Sequence, residues 1–396
     1  MLQCGLTVGG SGGVDRYLQG LLPALRNAHV KCAALAALDS GPFDNERGEI
    51  TTFARSTSPM FWRWWKAYRC STQFFQRDEP SLLAAHFAPY TWPLLWKART
   101  QPLVVHFHGP WCLESEAEGH SSTNVRIKRS IENRVYRQAV RFITLSKAFA
   151  RVLECTFGIP PERIRVIPGG VDVNRFAPIM SRGEARAHLG WPIDRPIVVT
   201  VRRLVNRMGL LEFIDAVAIA RRQHPDLLVQ MCGTGKLSGE LSSKIKSMGL
   251  QNTVNLLGHI DDANLPLVYR AADFSAVPSL QFEGFGLAAA ESLASGTPVI
   301  ATRVGGLPEL IGDLSDILIV EPNSVSIMAD RLTQILGSKA VLPTETACRD
   351  HATRCFAWPK VAHRIINVYR EAMMEAPLPY LENAQSAANL EPAGTN

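Results

Sequence analysis

Short β-branched runs alternate with longer amphipathic stretches along this chain, and that alternation constrains the fold more than any other feature. The runs PLVVHFHG, VRFITLS, IRVIPGG, PIVVTVRRL, LLVQMCG, VNLLG, DFSAVPS and TPVIATRVGG each read as a strand running into a loop, the pattern of a parallel sheet. Helical stretches such as GVDRYLQGLLPALRNA, GLLEFIDAVAIARRQ and GLAAAESLAS lie between them. The alternation occurs twice, once on each side of Pro168, so the expected fold is α/β with two doubly wound, Rossmann-like domains and a cleft. A length of 396 residues suits two such domains better than one hydrophobic core. The segment PGGVDVNRFAP, residues 168–178, is dense in Gly, Pro and turn formers and is the linker candidate. The boundary is placed near residue 175, giving a first domain over 1–175 and a second over 176–358. The apolar-periodic stretch 359–375 reads as a helix that could pack on either domain, and 376–396 loses periodicity and reads as a disordered tail.

A hydrophobic share of 46% and a charged share of 20% exclude a disordered or fibrous chain. The opening MLQCGLTVGGSGG lacks the charged start and apolar run of a secretory signal. No window reaches the roughly eighteen uninterrupted apolar residues of a spanning helix, so the expected location is cytoplasmic. The net charge of +6 is uneven: residues 1–175 hold 22 Lys/Arg against 14 Asp/Glu, the remainder 20 against 22. A basic first half suits an anionic partner such as a phosphorylated lipid head group or an acidic membrane surface. Nucleic acid matches the charge too, but no basic tail, zinc-finger spacing or RNA-binding motif accompanies it, and it is not expected as a partner. The segment FWRWWKAYRCSTQFFQR, residues 61–77, interleaves aromatic and basic side chains. It suits the inner membrane interface, its plainer reading being an ordinary packing helix.

The chemistry concentrates in PSLQFEGFGLAAAESLASGTPVIATRVGG, which holds Glu283, Gly284, Gly286 and Glu291 around a helix start. If Phe285 opens the helix, its free backbone N–H groups face the loop of Glu283, a ready site for a diphosphate. Eight residues separate the two glutamates; at ~1.5 Å rise that is roughly 12 Å, about the reach from a ribose across a diphosphate to a sugar. For an isolated pair the plainer reading is a helix N-terminal charge and a surface residue. Three further places could carry chemistry. Gly233 and Gly235 form a glycine loop after a strand, Gly9 to Gly13 precede an amphipathic helix, and His106 and His108 alternate at a strand end. The strand before Gly9 is short and irregular, as if a few residues preceded it. Eight scattered cysteines form no C-x-x-C pair, and no D-x-D triplet occurs. No metal site and no cofactor are therefore expected.

The long motif PSLQFEGFGLAAAESLASGTPVIATRVGG, followed by LPEL, resembles the signature of the retaining, GT-B-fold glycosyltransferases of family 4, the group 1 glycosyl transferases. The resemblance runs in family order from Gly9 to about Tyr369. It implies that Glu283 contacts the donor sugar, that Glu291 holds the ribose hydroxyls, and that the amides of Phe285, Gly286 and Leu287 meet the diphosphate. VRRLVNRMG resembles the family's strand-loop-helix that supplies an Arg and a Lys to the diphosphate. Arg203 stands at the Arg position, the Lys position is Met208, and Arg207 is the candidate to supply the missing charge. CGTGKLSGEL, with Gly233 and Gly235, resembles the family's second glycine loop on the donor side. By the same resemblance His108 contacts the sugar near the anomeric centre, Gly12 and Gly13 face the donor phosphates and the acceptor, and the last helix crosses back to the first domain. The implied activity is transfer of a hexosyl unit from a UDP- or GDP-sugar to a glycan or lipid-linked acceptor in cell-surface polysaccharide synthesis, independent of metal. The alternatives are a GT-B phosphorylase, a sugar-nucleotide epimerase, or an inactive nucleotide-sugar-binding subunit, the last supported by Met208. A nicotinamide dehydrogenase is disfavoured, because no G-x-G-x-x-G is followed by an acid about twenty residues later.

Overall fold

The computed structural model describes residues 2–7, 13–37, 50–55, 57–74, 82–95, 101–177 and 179–375. The chain divides into two compact units, Met1–Pro168 with Trp358–Asn396, and Gly169–Ala357.

In the first unit the strands are β1 (Leu2–Thr7), β2 (Ala33–Ala37), β3 (Ile50–Ala54), β4 (Leu83–Ala85), β5 (Leu103–Phe107), β6 (Arg141–Thr144) and β7 (Ile164–Val166). They form one sheet in the order β3-β2-β1-β4-β5-β6-β7, every neighbouring pair parallel. The second unit holds β8 (Ile197–Val201), β9 (Leu228–Cys232), β10 (Val254–Gly258), β11 (Phe274–Val277), β12 (Val299–Thr302) and β13 (Ile319–Val320). Their order is β10-β9-β8-β11-β12-β13, again parallel throughout. Each sheet grows outward from its first strand in one direction and then in the other. That leaves a switch point between β1 and β4 in one sheet and between β8 and β11 in the other, where open α/β sheets bind ligands beyond the strands' carboxyl ends.

The eight runs singled out from sequence form β5 to β12. Alanine-rich β2 and β4 lack β-branched residues, so sheet pairing, rather than propensity, holds them as strands. The irregularity of β1 is a register shift between Cys4 and Leu6 in its pairing with β2. Helix Gly13–Asn27 buries Tyr17, Leu18, Leu21, Leu22 and Leu25 along one stripe. These side chains share a core with Val361, Ile365 and Tyr369 of the C-terminal helix Trp358–Met374. Burying each of these leucines contributes about 1.5–3 kcal/mol before the entropy of ordering is subtracted.

The division falls between Pro168 and Gly169, seven residues ahead of the expected boundary at 175, and packing explains the shift. Val171 N–H donates to the Phe356 carbonyl at 2.8 Å and Val171 forms a parallel bridge with Ala357. Phe176 is buried against Tyr269. The glycine-rich segment is thus bound into the second unit instead of spanning freely. At the other crossing the helix begins at Trp358, one residue earlier than expected, and belongs to the first unit. The proposed tail, 376–396, lies outside the described residues. Among the described residues no helix is long and apolar enough to cross a membrane.

Candidate active site

In the second unit the loops leaving β8 and β11 carry the charged groups. Arg202 follows the last residue of β8, and its Nη2 donates to Ser279 Oγ at 2.5 Å and to the Glu283 carboxylate. The same nitrogen lies 2.7 Å from Met208 Sδ. The Arg202 and Glu283 side chains are 6% and 14% exposed. Ser279 donates to Glu283 at 3.1 Å, and its own carbonyl accepts from Thr302 Oγ1 at 2.5 Å. Burial by itself would raise the Glu283 carboxyl, but Arg202, then Arg207 and the Ser279 hydroxyl, more than offset it. The carboxyl is held below its ordinary value and is ionised at neutral pH.

The backbone around Glu283 explains the Gly pair at the end of the long motif. The Gly306 N–H donates to the Glu283 carbonyl at 2.8 Å. That carbonyl also sits where a Cβ on Gly305, at φ +56°, would be, so only glycine fits there. The preceding residue, Phe282, is itself left-handed at φ +49°, a strained conformation for a bulky side chain. Arg207 braces it: Nη1 donates to the Phe282 carbonyl at 3.0 Å, and the Arg207 carbonyl accepts from Leu280 N–H at 2.9 Å. Arg207, expected to reach the diphosphate, is buried and supports the Glu283 loop.

Arg203, expected beside the diphosphate, is exposed, and the guanidinium that reaches Glu283 is that of its neighbour Arg202. Gly233, at φ +136°, gives its Cβ position to the Arg202 carbonyl. Gly235 lies against the Leu204 backbone, so this glycine loop fixes the Arg202 loop from behind. Gly286 is left-handed at φ +92° and precedes the helix Leu287–Ala294, so the helix opens at Leu287 and not at Phe285. Phe285 is buried edge-on to Phe356. Glu291, on the second turn, is buried and accepts from the Tyr269 hydroxyl at 3.1 Å.

The first unit gathers three histidines at its own switch point. His86 follows β4, His106 lies on β5 and His108 just beyond it. His86 Nδ1 is 3.1 Å from His108 Nε2. His106 Nε2 is 2.7 Å from the Tyr369 hydroxyl and its Nδ1 3.4 Å from that of Tyr17. Tyr17 packs edge-on to His108 at 4.8 Å. Burial lowers all three imidazoles, that of His108 to about 4, with His106 and His108 adding to the effect at His86 and His108 adding to it at His106. All three are neutral at physiological pH. Their ring nitrogens fall within 4.8 Å of one another, a spacing that could hold a metal ion. The rings, however, lie 17–23° from parallel, and both His106 nitrogens already face hydroxyls. The arrangement fits a hydrogen-bonded relay better than a cation site. Gly13 opens the helix Gly13–Asn27, exposed and with open space at its Cβ position; Gly12 lies outside the described residues.

His86, Tyr369, Arg202 and Ser279 escaped the sequence reading. His86 follows a three-residue alanine-rich strand that sends little signal, and Tyr369 reaches the site from 263 residues beyond His106.

Two doubly wound units with polar and charged groups at both switch points define a GT-B-type α/β enzyme. Glycosyl transferases group 1 matches residues 181–354, and Glycosyltransferase Family 4 matches residues 11–175. A D-inositol 3-phosphate glycosyltransferase of Saccharomonospora viridis is 32% identical over 85% of this chain and 79% of its own. That of Corynebacterium kroppenstedtii is 32% identical over 63% of this chain, but the chain spans only 57% of its length. An MMP alpha-(1->4)-mannosyltransferase of Mycolicibacterium hassiacum is 30% identical over 69% of this chain and 66% of its own. Among solved structures, Anabaena HepE in complex with UDP and glucose superposes with a TM-score of 0.75 at 23% identity, covering 93% of this chain and 99% of that one. Sucrose-phosphate synthase of Thermosynechococcus elongatus gives 0.75 at 22%, covering 94% and 100%. The chain belongs to the family 4, group 1 glycosyltransferases.

Proposed function

We propose that this glycosyltransferase moves a hexosyl unit from a UDP- or GDP-sugar to a glycan or lipid-linked acceptor, with retention of configuration, in cell-surface polysaccharide synthesis. The observation that carries the reading is the buried Arg202–Glu283 pair at the β8/β11 switch point, beside the loop that enters the helix Leu287–Ala294. A guanidinium and the opening N–H groups of a helix suit a departing diphosphate, whose negative charge grows in the transition state. UDP and glucose bound to HepE, and the inositol-phosphate and mannosyl activities named for the relatives, support a nucleotide-sugar donor. In this reading the second unit holds the donor, with Glu283 on the sugar and Glu291 on the ribose. The first unit receives the acceptor, and neutral His108 hydrogen-bonds near the anomeric centre. The acceptor hydroxyl attacks the same face of an oxocarbenium-like carbon from which the nucleotide leaves, and its proton passes to the departing diphosphate oxygen. Catalysis proceeds without a metal.

Contact with the cytoplasmic face of a membrane is part of the proposal. Helix Met60–Phe74 exposes Phe61, Trp62, Trp65 and Tyr68, with Lys66 and Arg69 stacked on the indoles, a composition suited to an anionic interface.

The test is a thermal-shift screen against UDP, GDP, ADP and their sugars, with Glu291→Ala alongside. Stabilisation by one nucleotide class, lost in Glu291→Ala, is expected. No shift with any nucleotide would overturn the reading.

A further inference from the structure

Among the described residues, the Arg202 guanidinium makes its hydrogen bonds through one nitrogen, Nη2, which faces Met208, Ser279 and Glu283. Its Nε is buried and has no hydrogen-bond partner. A guanidinium offers five donors in a planar fork, and a buried N–H without an acceptor carries an uncompensated desolvation cost. Nothing in the sequence motif explains an arginine here. It sits at the strand end, one residue before the arginine expected to serve the diphosphate, and it touches the sulfur of Met208, where the family resemblance places a lysine. The methionine is unable to carry charge, and the guanidinium lies directly against it.

We infer that Arg202 is the diphosphate-binding cation of this chain, taking over the place of the lysine missing at Met208, and that Glu283 is the counterion from which the diphosphate draws it. This rests on the nucleotide-sugar reading. A phosphate oxygen entering beside the helix start meets the unused edge of the Arg202 fork and competes with the Glu283 carboxylate for Nη2. The exchange neutralises the incoming charge, and it releases the carboxylate of Glu283 to accept a hydroxyl hydrogen bond. Two acceptors sharing one guanidinium also set a sign for each substitution: removing the cation weakens diphosphate binding, whereas removing the competing carboxylate strengthens it. A merely structural ion pair would give losses in both.

Calorimetric titration with UDP and GDP, with uridine and guanosine as phosphate-free controls, tests this on the full chain. Arg202→Gln is expected to lose about ten- to hundred-fold in affinity for the diphosphate that binds the wild type, one charge-assisted contact to phosphate being removed. Its weak binding of the nucleoside should stay unchanged. Arg202→Gln with Met208→Lys is expected to regain at least ten-fold, and Glu283→Gln to bind the diphosphate more tightly than wild type. Should Arg202→Gln alone not fold, the double variant is compared directly with wild type, and a ten-fold deficit in it overturns the assignment. Equal affinity in Arg202→Gln and wild type overturns it, as does weaker diphosphate binding in both Arg202→Gln and Glu283→Gln. A wild type that binds neither diphosphate removes the nucleotide-sugar reading itself, an outcome distinct from the others.

Discussion

Glu283→Gln tests whether the ion pair at the β8/β11 switch point is a buried electrostatic unit. Both side chains are more than four-fifths buried, so solvent screening is slight and the surface-pair value of under about 1 kcal/mol does not apply. Removing one member of a buried pair costs about 3–5 kcal/mol, because the other charge is left without compensation. For a unit of this size 1 kcal/mol moves the melting temperature by roughly 2–4 °C, so the expected fall is about 6–20 °C. Scanning calorimetry at pH 7 measures it. The pH dependence adds a second check. The folded carboxyl is held below its unfolded value of about 4.3 by Arg202 against the opposing effect of burial. Its contribution is complete above that unfolded value and is lost as the pH falls through the lower folded one. Wild type and Glu283→Gln should therefore converge in acid. Replacing both partners by Arg202→Met with Glu283→Gln should recover most of the loss. A Glu283→Gln protein melting within about 2 °C of wild type would refute the reasoning.

The histidine cluster gives a pH effect confined to the first unit. Burial depresses all three imidazoles, so the unfolded chain binds more protons below about pH 6.5. Stability should fall as the pH drops from there toward the folded His108 value of about 4. Denaturant unfolding across that window should show a shallower slope in His86→Gln, and a slope identical to wild type would contradict it. Gly233→Ala places a methyl group against the Arg202 carbonyl at a φ of +136°. It should cost more than ~1 kcal/mol and weaken nucleotide binding, read by urea denaturation and by UDP titration. Serine at Phe61, Trp62 and Trp65 together should change stability by no more than roughly 0.5 kcal/mol per site, since all three are exposed. The triple variant should nevertheless lose sedimentation with phosphatidylserine vesicles; retained sedimentation would argue against this helix as the contact.

The architecture was legible because burial of a parallel strand on both faces writes itself as a continuous apolar run. IVVT of β8, fully buried, cannot be mistaken for a half-exposed strand. Strand β4, Leu-Ala-Ala, sends no such signal, and with it His86 was missed. The glutamates were found because a long motif surrounds them, but their support was not. Gly305 and Gly306 shape the Glu283 backbone from beyond the next strand, a relation visible only once β11 and β12 lie side by side. The part played by Arg202 is hidden for a similar reason. Arg202 and Arg203 are indistinguishable by composition, and only the folded loop shows that the first is paired with Glu283 while the second is exposed. The left-handed Phe282, whose carbonyl Arg207 supports, has no trace in a one-dimensional pattern.

In the proposed function the two switch points meet different electrostatic demands, and their residues divide accordingly. A group that must take on a diphosphate's growing charge serves best as a permanent cation, and arginine stays charged even when buried. Its cost in a low-dielectric loop is offset by a carboxylate that the same cation keeps ionised. A group that hydrogen-bonds a sugar while the ring carbon turns cationic must itself stay uncharged, since an imidazolium there would oppose the transition state. In the role proposed for His108, burial beside two further imidazoles keeps it uncharged, since protonating any one of them would place positive charge beside the other two. Fixing His108 through His86, and His106 through Tyr369, orders the rings without introducing charge. A lysine at Met208 beside Arg202 would place two cations on one sulfur's width, so the methionine and the arginine make sense as a single exchange. Met208→Lys in the wild-type background should accordingly destabilise the second unit, while the same substitution in Arg202→Gln should not.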